Sequence, residues 1–226
     1  SFAIPIDVAM NVAEQLKATG RVQRGQLGVM IQEVSYNLAK SFGLDKPTGA
    51  LISKVMPDSP AAKAGLQVGD IIRSVNGEEV RSSGDLPLTI GSIAPGKDVQ
   101  LGIWRKGEQL NLTVTLAQQD STVAENEHNR ADSEEADNDA SFTLPDAGLG
   151  LVLQTGASGE SSLVVTRATG AAARAGLRRG DVIVEVGGVR VNSQESLAAA
   201  FKQAGNQIPL LVQRGGNSLF LALMLP

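Results

Sequence analysis

The sequence of 226 residues contains no cysteine, one histidine and few aromatic residues. Without cysteine the chain has no disulfide, no thiolate nucleophile and no cysteine-ligated metal site. A serine nucleophile of the triad type needs a histidine base, and the single histidine, His128, lies in a stretch with almost no large apolar side chain. We therefore expect no catalytic triad within these residues, and no cofactor or metal.

The chain also lacks a long apolar run and an excess of positive charge. Its apolar runs are far shorter than the roughly 20 residues of a membrane helix, and its net charge is −4. Membrane insertion and binding to nucleic acid are therefore not expected. What it does contain is 42% hydrophobic residues and 25 glycines. This composition is typical of small, turn-rich domains with aliphatic cores, and the length allows two of them.

An internal repeat supports two domains. The run AAKAGLQVGDII at 61–72 aligns without a gap with AARAGLRRGDVI at 172–183. Similarity at this level over a fixed offset indicates a duplicated structural unit. The second copy has no counterpart to the segment 36–46, which is long enough for one or two helical turns ending before Gly43.

Each copy is predicted to be mainly β with short helices, an α+β fold that forms a partly open barrel or sandwich. In the first copy, Ser59 and Pro60 open a short helix, Asn76-Gly77 and Lys106-Gly107 are tight-turn signals, and Pro87 requires the first turn of its helix. The predicted strands are 27–34, 50–55, 70–75, 99–104 and 109–116, and the predicted helices are 60–64 and 83–93. The second copy closes with a hairpin of strands 208–214 and 219–225.

The remaining segments are a connector and a linker. Asp7 is a candidate cap for a helix reaching Thr19 and closed by Gly20. The start at Ser1 indicates a fragment of a longer protein. Acidic and polar residues after the first copy predict a flexible linker. The expected boundaries are therefore a connector at 1–24, domains at 25–117 and 143–226, and a linker at 118–142.

The candidate site is a glycine loop that leads into a strand. Gly28 can adopt unusual backbone angles, so the N–H groups of Leu27, Gly28 and Val29 can converge on a carboxylate. Leu86 and Ile90 lie one turn apart on the predicted helix and can face the same groove. The residues predicted to bind peptide in the first copy are Leu27, Gly28, Val29, Met30, Ile31, Leu86 and Ile90, and those in the second are Leu149, Gly150, Leu151, Leu153, Leu197 and Phe201. Plain core packing is the alternative for the apolar members.

Two other patterns have simpler interpretations. Asn217-Ser218 follows Gly215-Gly216 and superficially resembles a serine-nucleophile motif, but it has no paired base, and we interpret it as a hairpin turn. The charge pairs Arg105-Lys106 and Arg178-Arg179 are predicted to be solvated surface rather than partner sites.

The run SPAAKAGLQVGDII at 59–72, followed by Val75-Asn76-Gly77, resembles the PDZ signature of bacterial HtrA proteases. The segment 2–6 resembles the end of their trypsin-like domain, and 24–29 resembles their carboxylate-binding loop. The resemblance implies the tandem PDZ part of a periplasmic serine endoprotease for envelope quality control. It also implies unfolded polypeptides with hydrophobic C-termini, the parent's own protease domain and a homo-oligomer as partners. An alternative is that these domains are assembly modules for subunit contacts, a role that the resemblance implies especially for the second copy.

Overall fold

In the computed structural model, the described residues are 6, 10, 13, 16, 17, 24–118, 140–144, 147–155 and 161–225. They divide into two compact units, Ser1–Val34 with Thr48–Glu125, and Ser35–Pro47 with Asn126–Pro226. The five described N-terminal residues have helical geometry, but most of the predicted connector helix, including Asp7, lies outside the described residues.

The secondary structure follows the predicted order closely. The first elements are β1 (Gly25–Gln26), β2 (Val29–Glu33), α1 (Tyr36–Ser41), β3 (Ala50–Val55), α2 (Pro60–Lys63), β4 (Ile71–Val75), β5 (Glu78–Glu79), α3 (Asp85–Ser92), β6 (Asp98–Arg105), β7 (Glu108–Thr115) and β8 (Ala117–Gln118). They are followed by β9 (Ala140–Leu144), β10 (Leu149–Thr155), β11 (Ser161–Ala168), α4 (Gly170–Arg174), β12 (Val182–Val186), β13 (Val189–Arg190), α5 (Gln194–Gln203), β14 (Gln207–Arg214) and β15 (Asn217–Met224).

The first unit is built on a six-stranded antiparallel sheet in the order β2-β3-β4-β6-β7, with β5 beside β4. A separate two-stranded pair joins β1 to β8. The core of the first unit is aliphatic. Its members that are completely inaccessible to solvent include Ile52, Ile72, Val99, Leu101 and Ile103. The sheet leaves β2 at one end, where it pairs only with β3 among the described strands.

Local sequence determines where these elements begin and end. The Ser59 side chain accepts a hydrogen bond from the Ala62 N–H and caps α2, with Pro60 in the first turn. Asn76 and Lys106 have positive φ angles, and each precedes a glycine in the predicted tight turns. Helix α3 begins at Asp85, two residues later than predicted, because the Asp85 carboxylate accepts hydrogen bonds from the N–H groups of Arg81 and Ser82.

The second unit repeats this plan with one addition. Its sheet has the order β15-β14-β12-β11-β10-β9, with β13 beside β12. The predicted closing hairpin is present, and Arg214 pairs with Asn217 across the Gly215-Gly216 turn. Asn217-Ser218 is therefore part of a strand, as the hairpin interpretation requires.

Helix α1 belongs by its contacts to this second unit, where it packs against β14 and β15. Phe42 follows the helix and meets Phe220 edge to face, with ring centroids 5.4 Å apart. Leu38 and Ala39 are buried on the same segment. A segment inserted in the first copy of the repeat thus covers part of this sheet.

The predicted linker is partly ordered at its ends. Gln118 is the last residue of β8, and residues 140–142 lie in β9. The rest of the predicted linker, 119–139, lies outside the described residues, as does His128. The predicted linker boundaries therefore include, at both ends, residues that have backbone partners in strands.

One ion pair occurs identically in both units. Arg105 donates from Nε and Nη2 to the two carboxylate oxygens of Asp70, each at 2.7 Å, and also to the Gly65 carbonyl at 2.8 Å. Arg214 makes the same bidentate pair with Asp181 at 2.7 and 2.6 Å, and bonds to the Gly176 carbonyl.

The prediction that Arg105 is solvated surface is therefore wrong. Its carboxylate partner is only 1% exposed, and a buried carboxylate needs a paired cation to offset its lost hydration. Through this pair, the closing hairpin is attached to the turn that precedes β4. Arg178 and Arg179 are exposed, and the Arg178 N–H donates to Asp181.

Candidate functional site

The candidate groove of the first unit lies along an open sheet edge. Strand β2 pairs with β3 from Val29↔Val55 to Glu33↔Ala50, with a bulge between Met30 and Ile31. Its other edge has no partner among the described strands. Backbone N–H and C=O groups on such an edge can pair with an incoming strand.

The loop before β2 is fixed in place by its carbonyl groups. The Leu27 carbonyl accepts from the Ala61 N–H, and the Gly28 carbonyl accepts from the Met56 N–H, both at 2.9 Å. Within the described part of the chain, the N–H groups of Leu27 and Gly28 have no acceptor. This is the arrangement that an anion-binding loop requires, since its donors stay available for a ligand.

Gly28 is the residue that this loop conformation demands. Its φ angle is +76°, a region that side-chain-bearing residues rarely adopt, and a Cβ built on it would lie 2.4 Å from the Ser59 Cβ. The loop backbone therefore packs directly on Ser59, the residue that caps α2. No larger side chain fits at this position without moving either the loop or the helix.

The predicted pocket residues meet in one apolar cluster. Leu27, Leu86 and Ile90 are 4%, 2% and 4% exposed and belong to the core. Val29 and Ile31 are half-buried at its border. The structure thus places all five together, with the strand residues nearer the surface. Met30 is also half-buried, and its carbonyl accepts a hydrogen bond from the Ser53 hydroxyl.

The far end of the groove has a polar connection. Glu33, the last residue of β2, accepts hydrogen bonds from the Ser83 N–H at 2.9 Å and the Ser83 hydroxyl at 2.5 Å. Ser83 lies two residues before α3. These bonds join the end of the edge strand to the start of the helix that forms the opposite wall.

The first unit corresponds to a known domain. The PDZ domain family matches residues 25–116, and a second PDZ domain match covers residues 164–214. Both matches include the Ala-rich helix, the Gly-Asp turn and the following strand of their copy. The chain therefore contains two PDZ domains.

Relatives with curated names cover the whole of this PDZ pair. A probable periplasmic serine endoprotease DegP-like of Halomonas elongata is 43% identical over 236 residues, which is 100% of this chain and 47% of that protein. The protein of the same name from Marinomonas sp. is 39% identical, across 98% of this chain and 46% of its own length. The chain therefore spans about half the length of these relatives.

A solved structure also resembles part of the chain. The HtrA-type protease AlgW with a decapeptide is 31% identical, covers 53% of this chain and 37% of its own, and has a TM-score of 0.45. No helix in the described part of the chain is both long enough and apolar enough to cross a membrane.

In the second PDZ domain the loop glycine lies two residues earlier than the predicted Gly150. The Ala147 carbonyl accepts from the Ala172 N–H, as the Leu27 carbonyl does from Ala61. Gly148 has a φ angle of +68° and would clash with the Thr169 carbonyl if it carried a Cβ. The equivalent of Gly28 is therefore Gly148, whereas Gly150 lies inside β10.

The other residues predicted for the second groove are distributed between core and border. Leu149, Leu151 and Leu197 are buried in the core of the unit. Phe201 is half-buried against this core. For Leu153 only the backbone is described, paired in β10.

Sequence reasoning missed the two polar connections, Asp70–Arg105 and Glu33–Ser83. For the first a signal existed, because both copies have Gly-Asp before a strand and an arginine before the glycine of the closing hairpin. The second joins residues 50 positions apart, and no local pattern marks it.

Proposed function

We propose that the first PDZ domain binds the hydrophobic C-termini of unfolded proteins in the periplasm and delivers them to the serine endoprotease domain of its parent protein. The supporting observation is the open edge of β2 beside an apolar cluster, with two available N–H donors at its start. A peptide C-terminus needs these three features, since its carboxylate, its backbone and its last side chain are all recognised.

The binding mode follows from the position of the loop. A carboxylate held by Leu27 and Gly28 lies at the start of β2, so the rest of the peptide runs antiparallel to the strand. The last side chain then enters the cluster bordered by Val29 and Ile31. Each hydrogen bond to the charged terminus contributes about 1.5–3 kcal/mol. After ordering costs, binding of roughly −8 kcal/mol, or micromolar affinity, is expected.

The relatives support the wider assignment. They are named periplasmic serine endoproteases, and the AlgW structure contains a decapeptide. By this proposal the full protein is a periplasmic oligomer that hydrolyses damaged envelope proteins, and the PDZ pair supplies recognition rather than catalysis.

The test is a calorimetric titration with one hydrophobic-ended peptide, as free acid and as C-terminal amide. Binding of the acid alone is expected. Equal binding of both forms would mean that the groove recognises internal strands, and binding of neither would contradict the proposal.

The second candidate function is assembly, and it concerns the second PDZ domain. The observation in its favour is that β10, unlike β2, is paired along both edges among the described strands, so the groove strand of this domain offers a peptide no unpaired edge. Sedimentation velocity over a range of concentrations distinguishes the two functions, because an assembly module associates with itself and a recognition module binds peptide as a monomer.

A further inference from the structure

The second PDZ groove has a strand already in it. Strand β10 corresponds to β2, because its partner β11 leads into the Ala-rich helix α4 as β3 leads into α2. In the first domain the other edge of the groove strand has no partner among the described strands. In the second, β9 pairs along that edge through five residues, from Leu149↔Leu144 to Leu153↔Ala140.

Strand β9 runs in the direction of a C-terminal ligand. A peptide whose last residue lies at the glycine loop must run antiparallel to the groove strand, and β9 is antiparallel to β10. Its final residue, Leu144, stands opposite Leu149, the first residue of β10. Leu144 therefore takes the position of the last residue of a ligand.

The side chain at this position also behaves as a ligand's would. Leu144 is half-buried and packs against the core of the unit, as does Phe201 of helix α5. In the first domain, Ile31 and Ile93 border the core in a similar way. Thr143, the preceding residue of β9, points its side chain to solvent.

The glycine loop itself is intact in the second domain. The Ala147 and Gly148 carbonyls accept from Ala172 and Thr169 at 3.0 and 2.7 Å, as their equivalents do in the first domain. The difference is that the chain continues from Leu144 into this loop, where a ligand would end in a carboxylate.

We propose that residues Ala140–Leu144 are the resident ligand of the second PDZ groove, which therefore accepts a strand of its own chain and excludes free peptides. A strand tethered by so few residues has an effective concentration on the order of millimolar or above. A free peptide of micromolar affinity at micromolar concentration cannot displace a tethered strand of similar intrinsic affinity. The proposal extends the peptide-binding mode proposed for the first domain to an internal segment.

The test uses the full chain with two alternative reporters. Since the protein has no cysteine, a single cysteine can carry a fluorophore on α5 (Lys202→Cys) or on α3 (Leu88→Cys), both at solvent-exposed positions. The β9 strand is disrupted by Phe142→Pro with Thr143→Pro, because proline cannot donate a ladder hydrogen bond. The matched control carries Asn126→Pro with Glu127→Pro.

The probe is a synthetic peptide with the sequence of residues 138–144, amidated so that it imitates an internal strand. The expected result is binding at the α5 reporter at least tenfold tighter in the β9 variant than in the unmodified chain or the control. Equal binding in all three would show an open groove and overturn the proposal. Absence of binding at α5 in the β9 variant, with its circular dichroism unchanged, would overturn it as well.

A second measurement covers the case in which the β9 variant does not fold. Hydrogen exchange on the unmodified chain should show strong protection on both edges of β10 and on one edge of β2. If the β10 edge that faces β9 exchanges as fast as the β2 edge that has no described partner, the proposal is overturned. The α3 reporter with a free-acid peptide tests the first groove separately, so failure of the proposed function is distinguished from failure of this inference.

Discussion

Glu33 and Ser83 join the two walls of the first PDZ groove through two hydrogen bonds to one carboxylate oxygen. Glu33 is exposed and Ser83 is half-buried, so the contact lies at the surface and contributes little to the core. Its effect should instead be on the separation of β2 and α3 at the end of the groove away from the glycine loop.

Replacing Glu33 tests this role. Glu33→Ala should weaken binding of a hydrophobic-ended peptide about two- to tenfold, since a hydrogen bond contributes roughly 0.5–1.5 kcal/mol. Calorimetric titration measures the change, and the melting temperature should stay nearly constant. Glu108→Ala, at an exposed position at the start of β7, is the control. Affinity equal to that of the control would show that the connection does not shape the groove.

Gly28 should be the most sensitive position for binding. Gly28→Val places a branched side chain against Ser59 and at a φ angle of +76°. The loop must move, and the loss of one charge-assisted hydrogen bond alone lowers affinity roughly tenfold or more. Gly96→Val is the matched control, because Gly96 has φ +79° with no atom near its Cβ position. If the two variants bind peptide equally well, the loop assignment is wrong.

The ion pair of Arg105 with Asp70 should contribute more to the free energy of unfolding than a surface contact does. Arg105→Leu leaves the Asp70 carboxylate buried without its cation, and a loss of about 3–5 kcal/mol in unfolding free energy is expected. Arg179→Leu removes an exposed arginine and should change stability by less than about 0.5 kcal/mol. Urea unfolding of both variants makes the comparison. Equal midpoints would contradict a structural role for the pair.

The equivalent pair in the second unit makes stability depend on pH. Burial alone would raise the pKa of Asp181, but hydrogen bonds from the Arg214 side chain and the Arg178 N–H, with the charges of both arginines, hold this pKa below its usual value. A lowered pKa in the folded state means that the carboxylate stabilises the fold fully above the ordinary aspartate pKa of about 3.9. This contribution is lost as pH falls through the lower, folded value.

The difference in melting temperature between the unmodified chain and Asp181→Asn should therefore be largest near neutral pH and should shrink below about pH 4. Thermal melts in steps from neutral to strongly acidic buffer measure it. A difference that stays constant over this range would mean that Asp181 ionisation is not linked to folding.

Phe42 should stabilise the second unit although it lies within the first PDZ sequence match. Its edge-to-face contact with Phe220 is lost in Phe42→Ala, and a cost of about 1–2 kcal/mol is expected from the aromatic pair and the apolar area. Tyr36→Ala, at an exposed position in the helix that precedes Phe42, is the control. Hydrogen exchange of β14 and β15 locates the effect, and unchanged exchange there would contradict it.

Much of the fold could be predicted because its signals are local. Ser59 before Pro60 marks the start of α2, and the dipeptide Asn76-Gly77 specifies a tight turn through its own backbone preference. The internal repeat then extended these assignments to the second copy. The position of the glycine loop in the second domain was predicted less accurately, as the difference between Gly148 and Gly150 shows. The two loops are similar over only a few residues, and a shift of two residues still places a glycine in the loop.

The sequence alone was enough to predict two copies of a mainly β unit with a glycine loop before a groove strand, because turns, caps and a repeat are properties of neighbouring residues. The PDZ assignment came from the resemblance of the run 59–72 to a known signature. Which groove strand keeps an unpaired edge could be seen only in the folded chain. Among the described strands β2 pairs only with β3, whereas β10 pairs with both β11 and β9, and Arg105 meets Asp70 from 35 positions away. Strand pairing and ion pairing at such separations depend on how the chain returns on itself, which no local pattern records.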